Sequence, residues 1–242
     1  MKITKKALVL ALCMMLVSVM SIFGTIAYLT DDDSAVNTFT VGKVTLRLDE
    51  ADVNENGTLA SNERVKGNEY HLIPGHTYIK DPTVTMGEDS ELAYVRMLVT
   101  VENIDQLEAA LNEEKYYAAA QDGSKVFLLQ NLCLDKDGNN TWASDKWIYE
   151  GYDEYTEVVD EEEITNGVYE FRYYKVVNDA TAPFEGGKLE PLFRTITVPG
   201  EDVDNDEIAK LEDVKITGVA HAIQAQGFAT DDLAWDAFDK QN

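Results

Sequence analysis

Apolar and polar positions alternate along most of this chain, and the breaks in that alternation mark its turns. Residues 41–51 place Val44, Leu46 and Leu48 on one face and Thr45, Arg47 and Asp49 on the other, which predicts a half-buried strand. Residues 52–67 are polar and punctuated by Asn56-Gly57 and Gly67-Asn68, so they read as an exposed insertion. In residues 70–85, Pro74-Gly75 predicts a turn and residues 78–85 an extended run, with Pro82 confining it to an edge or a strand start. Residues 91–102 give the clearest strand: Ala93, Val95, Met97, Val99 and Val101 share the face that belongs in a core. Asn103 then fits the N-cap of a helix from Ile104 to about Ala120.

Farther on, residues 126–134 and 146–152 predict strands separated by turn-rich residues 135–140. Residues 168–177 alternate again, and Asn166-Gly167 before them is a hairpin signal with residues 147–159 as the partner strand. The tyrosines there read as aromatic sheet residues on a half-buried face, the other reading being a glycan or protein surface. Gly186-Gly187 opens a loop, residues 192–198 form a strand, and Pro199-Gly200 turns into a short helix at 204–211. Residues 214–224 return as a strand, and Thr230 caps a last helix with Leu233, Ala234, Ala237 and Phe238 as its apolar stripe and Trp235 at the side. Many strands at short spacing with helices between or after them predict a mostly β protein, a β-sandwich with a few inserted or appended helices.

One segment departs from all of this. Lys2, Lys5 and Lys6 precede an apolar run at residues 7–23 broken only by Ser18 and Ser21, and Thr25 and Ala27 supply small residues for cleavage after Ala27. Residues 1–27 are therefore expected to be a cleaved signal helix and residues 28–242 one sandwich domain with helical insertions. The competing reading is an uncleaved membrane anchor, since residues 7–26 are about long enough to span a tilted path. Acylation of Cys13 fits less well, because Leu12 is bulky where a lipobox needs a small residue.

Charge sharpens the picture. The formal net charge is −25, and removing the leader with its three lysines takes it to −28. A surface this acidic repels nucleic acid and anionic lipid and attracts divalent cations or cationic partners. Contact with a membrane is expected only through the uncleaved leader. Cys133 alone remains in the mature chain, so no internal disulfide can form, and its apolar neighbours mark it as a buried small hydrophobe.

Residues 24–31, Gly-Thr-Ile-Ala-Tyr-Leu-Thr-Asp, followed by residues 35–42, Ala-Val-Asn-Thr-Phe-Thr-Val-Gly, resemble the junction of bacterial proteins processed by the SipW type of signal peptidase. That group is the TasA and camelysin family. Residues 72–84, with Pro74-Gly75 and then Lys80-Asp81-Pro82, and residues 220–228, Ala-His-Ala-Ile-Gln-Ala-Gln-Gly-Phe, resemble two further segments of it. The resemblance implies a jelly-roll sandwich, a SipW-type signal peptidase as partner, and an extracellular-matrix or cell-surface location. It also implies a homopolymer built by passing the N-terminal strand into the next subunit. In this sequence residues 28–41 would be that strand, with Asp31, Asp32 and Asp33 as charged guards against uncontrolled pairing.

Residues 52–63 carry the most specific local chemistry. Asp52, Asn54, Asn56, the Thr58 carbonyl and Glu63 fall at ligand positions of a twelve-residue calcium loop, with Gly57 at the sharp turn. The flanking helices of an EF-hand are not expected, so weak extracellular calcium binding stands against a plain Asx-rich turn. A second acidic run at 202–207 has Glu207 where the glycine belongs and reads as a helix start. The camelysin side of the family is classed as metallopeptidase, yet His71, His76 and His221 form no His-Glu-x-x-His pattern. No nucleophile elbow, P-loop or dinucleotide fingerprint occurs. The expected function is a secreted structural protein of a bacterial envelope or biofilm matrix, catalytic residues none, with a cell-surface metalloendopeptidase as the alternative.

Overall fold

Alternation at residues 93–102 does what it predicts, and the rest of the protein is layered on the strand it makes. The computed structural model describes residues 30–33, 44–110, 132–159, 162–200 and 215–240. Among the described residues ten strands follow in order: β1 (Thr30–Asp33), β2 (Leu46–Val53), β3 (Leu59–Val65), β4 (Thr77–Ile79), β5 (Thr83–Met86), β6 (Ala93–Glu102), β7 (Trp147–Val159), β8 (Glu162–Tyr173), β9 (Thr195–Thr197) and β10 (Lys215–Gln224). The α-helices described with them are α1 (Ile104–Ala110) and α2 (Asp231–Asp239). The expected signal helix, residues 34–43, the rest of the first helix, most of the 126–134 strand and the 202–211 run lie outside the described residues.

The larger sheet has the order β1-β10-β6-β8-β7 and the second β3-β2-β5, with β4 and β9 forming a separate pair. All the pairings are antiparallel. One face of the large sheet, Val95, Met97 and Val99 of β6 with Tyr169 and Phe171 of β8 and Ala220 and Ala222 of β10, packs with Val44, Leu46, Val84 and Met86 of the smaller layer. The protein is thus a mostly β, jelly-roll-like sandwich, with the first strand lying beside the last. Burial of these side chains, each stabilising by roughly 1.5–3 kcal/mol, is what holds the layers together.

The opposite face of the large sheet is covered by α2. Thr230 caps it, its side chain accepting from the Leu233 N–H at 3.3 Å, and Asp231 and Asp232 occupy the first turn where the helix dipole favours them. Ala234, Trp235 and Phe238 are buried against Ile223, whereas Leu233 is 53 % exposed. The expected stripe is therefore rotated: Trp235 belongs to the buried side and Leu233 does not. Arg96, on this outer face of β6, is only 4 % exposed. Its guanidinium donates to Asp239 Oδ2 at 3.0 Å and to His221 Nδ1 at 3.2 Å, and lies 4.6 Å from the Trp235 ring centroid. Arg172 holds the other end of the helix, with Nη1 2.6 Å from Asp232 Oδ1.

Three further expectations are corrected. Residues 59–65 are a strand and not an irregular insertion; β3 was hidden because its side chains are mostly exposed or half-buried and polar. Asn166-Gly167 is not a hairpin turn but sits inside β8, where Gly167 pairs with Val101 and Glu154. Tyr152 packs so closely over Gly167 that a Cβ there would meet its hydroxyl at 2.6 Å, while Asn166 Oδ1 accepts from the Asn103 N–H at 3.0 Å. Asn103 itself adopts a left-handed φ of 55°, not the extended backbone of a typical N-cap.

Replacing Asp239 with Ala removes both carboxylate oxygens from a buried guanidinium, and Arg96 keeps only the more distant Glu170 at 3.7 Å as a carboxylate partner. Urea denaturation of Asp239→Ala is expected to show a loss of about 2 kcal/mol, the scale of hydrogen bonds to charged groups.

Candidate functional site

The acidic strand β2 carries two adjacent carboxylates, Asp49 and Glu50, that are each 5 % exposed. Charges so placed must be paired or the fold is strongly penalised. Arg64, across the β2–β3 pair, supplies the first partner: Nε donates to Asp49 Oδ1, Nη2 to the Asp49 carbonyl at 3.0 Å, and Nη1 to Asp81 Oδ2 at 2.9 Å. Arg47 stands 2.7 Å from Asp49 Oδ2. Lys80 donates to Glu50 Oε2 at 2.7 Å, and Asn68 donates to the other Glu50 oxygen at 2.8 Å. Asp81 Oδ1 accepts the Ala51 N–H at 2.6 Å. The Lys80-Asp81-Pro82 segment is thus a clamp that fastens the β2–β3 hairpin to the β4–β5 run.

A cavity of about 980 Å³ lies under this clamp. Its floor is apolar, with Leu48, Met97, Val99, Phe193 and Ile216, and its rim includes Glu50, Asn68, Tyr70, His71 and Lys80. Burial pushes the Tyr70 phenol well up from its ordinary range, with the Glu50 carboxylate adding to the effect. Tyr70 therefore stays neutral and donates to the Ile79 carbonyl at 3.1 Å, while Lys80 lies 5.4 Å from its ring centroid. Glu50 and Lys80 of the rim are engaged with each other, so the apolar floor is bordered there by an ordered polar edge.

The predicted calcium-loop residues fall on a β-hairpin. Asp52 lies on β2 next to its last residue, Asn54, Asn56, Gly57 and Thr58 make the turn, and Glu63 lies on β3. Asn54 Oδ1 accepts from the Asn56 N–H at 3.0 Å and the Thr58 N–H at 3.2 Å, and Asp52 Oδ2 accepts from Ser61 at 2.7 Å. These contacts shape the turn and join it to β3. Gly57 has φ +70° and is required twice over, because a Cβ would also stand 2.7 Å from the Tyr78 Cα.

The histidines are divided between two places. His76 Nε2 is 2.9 Å from the Asn56 carbonyl, and the His71 carbonyl accepts from Tyr78 at 2.7 Å, both beside the turn. His221 lies under α2 with Arg96 and packs against Phe238. Among the described residues, no group of three or more His, Cys, Asp or Glu side chains is placed to hold a metal ion. Cys133 is buried, and burial pushes its thiol far above the ordinary range.

The clamp itself went unread in the sequence, although Asp49-Glu50 interrupting an otherwise alternating strand was a signal that two carboxylates needed partners. No family model, curated protein or solved structure matches the chain.

Substitutions at three positions test this geometry. Arg64→Met leaves Asp49 buried with only the exposed Arg47 beside it and is expected to cost about 3 kcal/mol, with Asp49→Asn/Arg64→Met losing less than the sum of the two single changes in denaturation cycles. Gly57→Ala is expected to lose at least about 1 kcal/mol by thermal or urea unfolding, because Ala must adopt a left-handed backbone there.

Proposed function

We propose that this chain is an exported structural protein of a bacterial envelope or biofilm matrix, related to the TasA and camelysin group, that assembles by passing its N-terminal strand to a neighbouring copy. The observation that carries the proposal is the position of β1. It forms the outer edge of the large sheet and is held through four residue pairs with β10, from Thr30 opposite Ile223 to Asp33 opposite Ala220. An edge strand this short contributes little pairing, and the same four pairs can form between copies as within one. Exchange therefore costs little at high local concentration, and a head-to-tail exchange that does not close yields filaments.

The leader pattern at residues 1–27 supports export, with cleavage by a SipW-type signal peptidase freeing the strand for either pairing. The alternation of Ala35, Asn37, Phe39 and Val41 suits the same extended segment. The apolar cavity floor beside β2 and β10 is a surface that alternate side chains of such a strand could fill.

The mature protein is expected to form filaments visible by electron microscopy, and a truncation beginning at Gly42 is expected to lose them while keeping its sheet by circular dichroism. Filaments persisting in the truncation would eliminate this segment as the donor. Chelator-sensitive proteolysis lost on replacing His71, His76 or His221 would overturn the structural role in favour of a metalloendopeptidase.

A further inference from the structure

The other edge of the large sheet is β7, a much longer strand than β1. β7 runs for thirteen residues, has a bulge between Tyr149 and Gly151, and has no strand on its outer side among the described residues. Beyond the bulge, every residue from Asp153 to Val159 is exposed. β6 covers β8 only from Gly167 to Arg172, so the pairs from Tyr155 opposite Asn166 to Val159 opposite Glu162 form a two-stranded arm. Such a ribbon is marginal in water, and a third strand would add a full row of backbone hydrogen bonds to it.

The arm's exposed side chains say what that third strand is. Tyr155, Val158 and Val159 are 47 %, 72 % and 46 % exposed, an apolar set that solvation alone does not call for. Asp153, Glu154 and Glu157 stand beside them, Glu154 accepting from the Tyr152 hydroxyl at 2.7 Å and Glu157 from the Asn166 side-chain amide at 2.6 Å, and residues 147–171 contain no Lys or Arg at all. Carboxylates on an edge strand guard against pairing with another copy of the same acidic chain. The charge that turns away a second copy is complementary to a basic one.

With period-two alternation, each face of this edge mixes carboxylate with apolar or aromatic side chains: Asp153, Tyr155, Glu157 and Val159 on one, Tyr152, Glu154 and Val158 on the other. We infer that the outer edge of β7 from Gly151 to Val159 binds an extended, basic segment of another polypeptide by strand addition, with Lys or Arg opposite Asp153 and Glu157 and apolar side chains opposite Tyr155, Val158 and Val159. The inference is independent of filament formation through β1, which uses the opposite edge.

The probe is a fluorescent peptide of lysine, valine and threonine long enough to span Gly151–Val159, titrated into the purified full chain. It is expected to bind with an affinity that falls as salt rises. Amide hydrogen exchange is expected to slow in residues 151–159. Asp153→Lys and Val158→Lys, both at exposed positions, are each expected to weaken binding about tenfold while leaving circular dichroism unchanged. A peptide of the same composition with proline at alternate positions cannot donate to the edge and is expected not to bind. Equal binding of the proline peptide would reduce the effect to charge attraction, and protection mapping elsewhere, or no binding of either peptide, would overturn the assignment.

Discussion

Burying a carboxylate in a chain of net charge −25 is the constraint on which the rest of this structure depends. The chain has forty-five acidic and twenty basic residues, so cations are scarce and where they are spent is informative. Arg64 and Lys80 are spent on Asp49 and Glu50, the two buried carboxylates of β2. Arg96 and Arg172 are spent on the opposite side, holding α2 against the outer face of the large sheet. Arg96 and Arg172 join α2 to strands with which it shares no backbone ladder, and Arg64 adds Asp81 to Asp49 of its ladder partner β2, so these ion pairs fix how elements sit while apolar burial supplies most of the energy.

The strands that were legible in the sequence are those with one apolar and one polar face. β6, β8 and β10 bury one face in the shared core, and their alternation predicts that directly. β3 was not legible because its side chains are mostly polar and exposed, so nothing about hydrophobicity distinguishes it from a loop; its partner β2 and the Arg64 bridge make it a strand. Asn166-Gly167 misled because the dipeptide is chosen here for two tertiary contacts, the Asn103 backbone and the Tyr152 ring, and not for turn geometry. Trp235 was assigned to the helix flank because helical spacing alone cannot show that a guanidinium waits beneath it.

The buried charge cluster was less legible than the strands, for a related reason. The pattern at residues 52–63 places oxygens at calcium-loop intervals, but such intervals also suit an Asx turn, and the hairpin directs Asn54 toward backbone amides. The clamp on Asp49 and Glu50 draws on residues up to about thirty positions apart in sequence, a separation no local motif can encode. Lys80-Asp81-Pro82 drew notice through resemblance, and its physical role is to pair, to bridge and to stop the ladder between β4 and β5.

Placing the first described strand beside the last one also orders events in time. Thr30 is made early and Ile223 late, yet they are neighbours in the finished sheet. As the chain is synthesised, β1 has no partner until β10 has emerged, so this pairing joins the first and last of the described strands and closes late. For that interval β1 is an unsatisfied strand. How long that interval lasts depends on the speed of synthesis and not on the stability of the completed sheet.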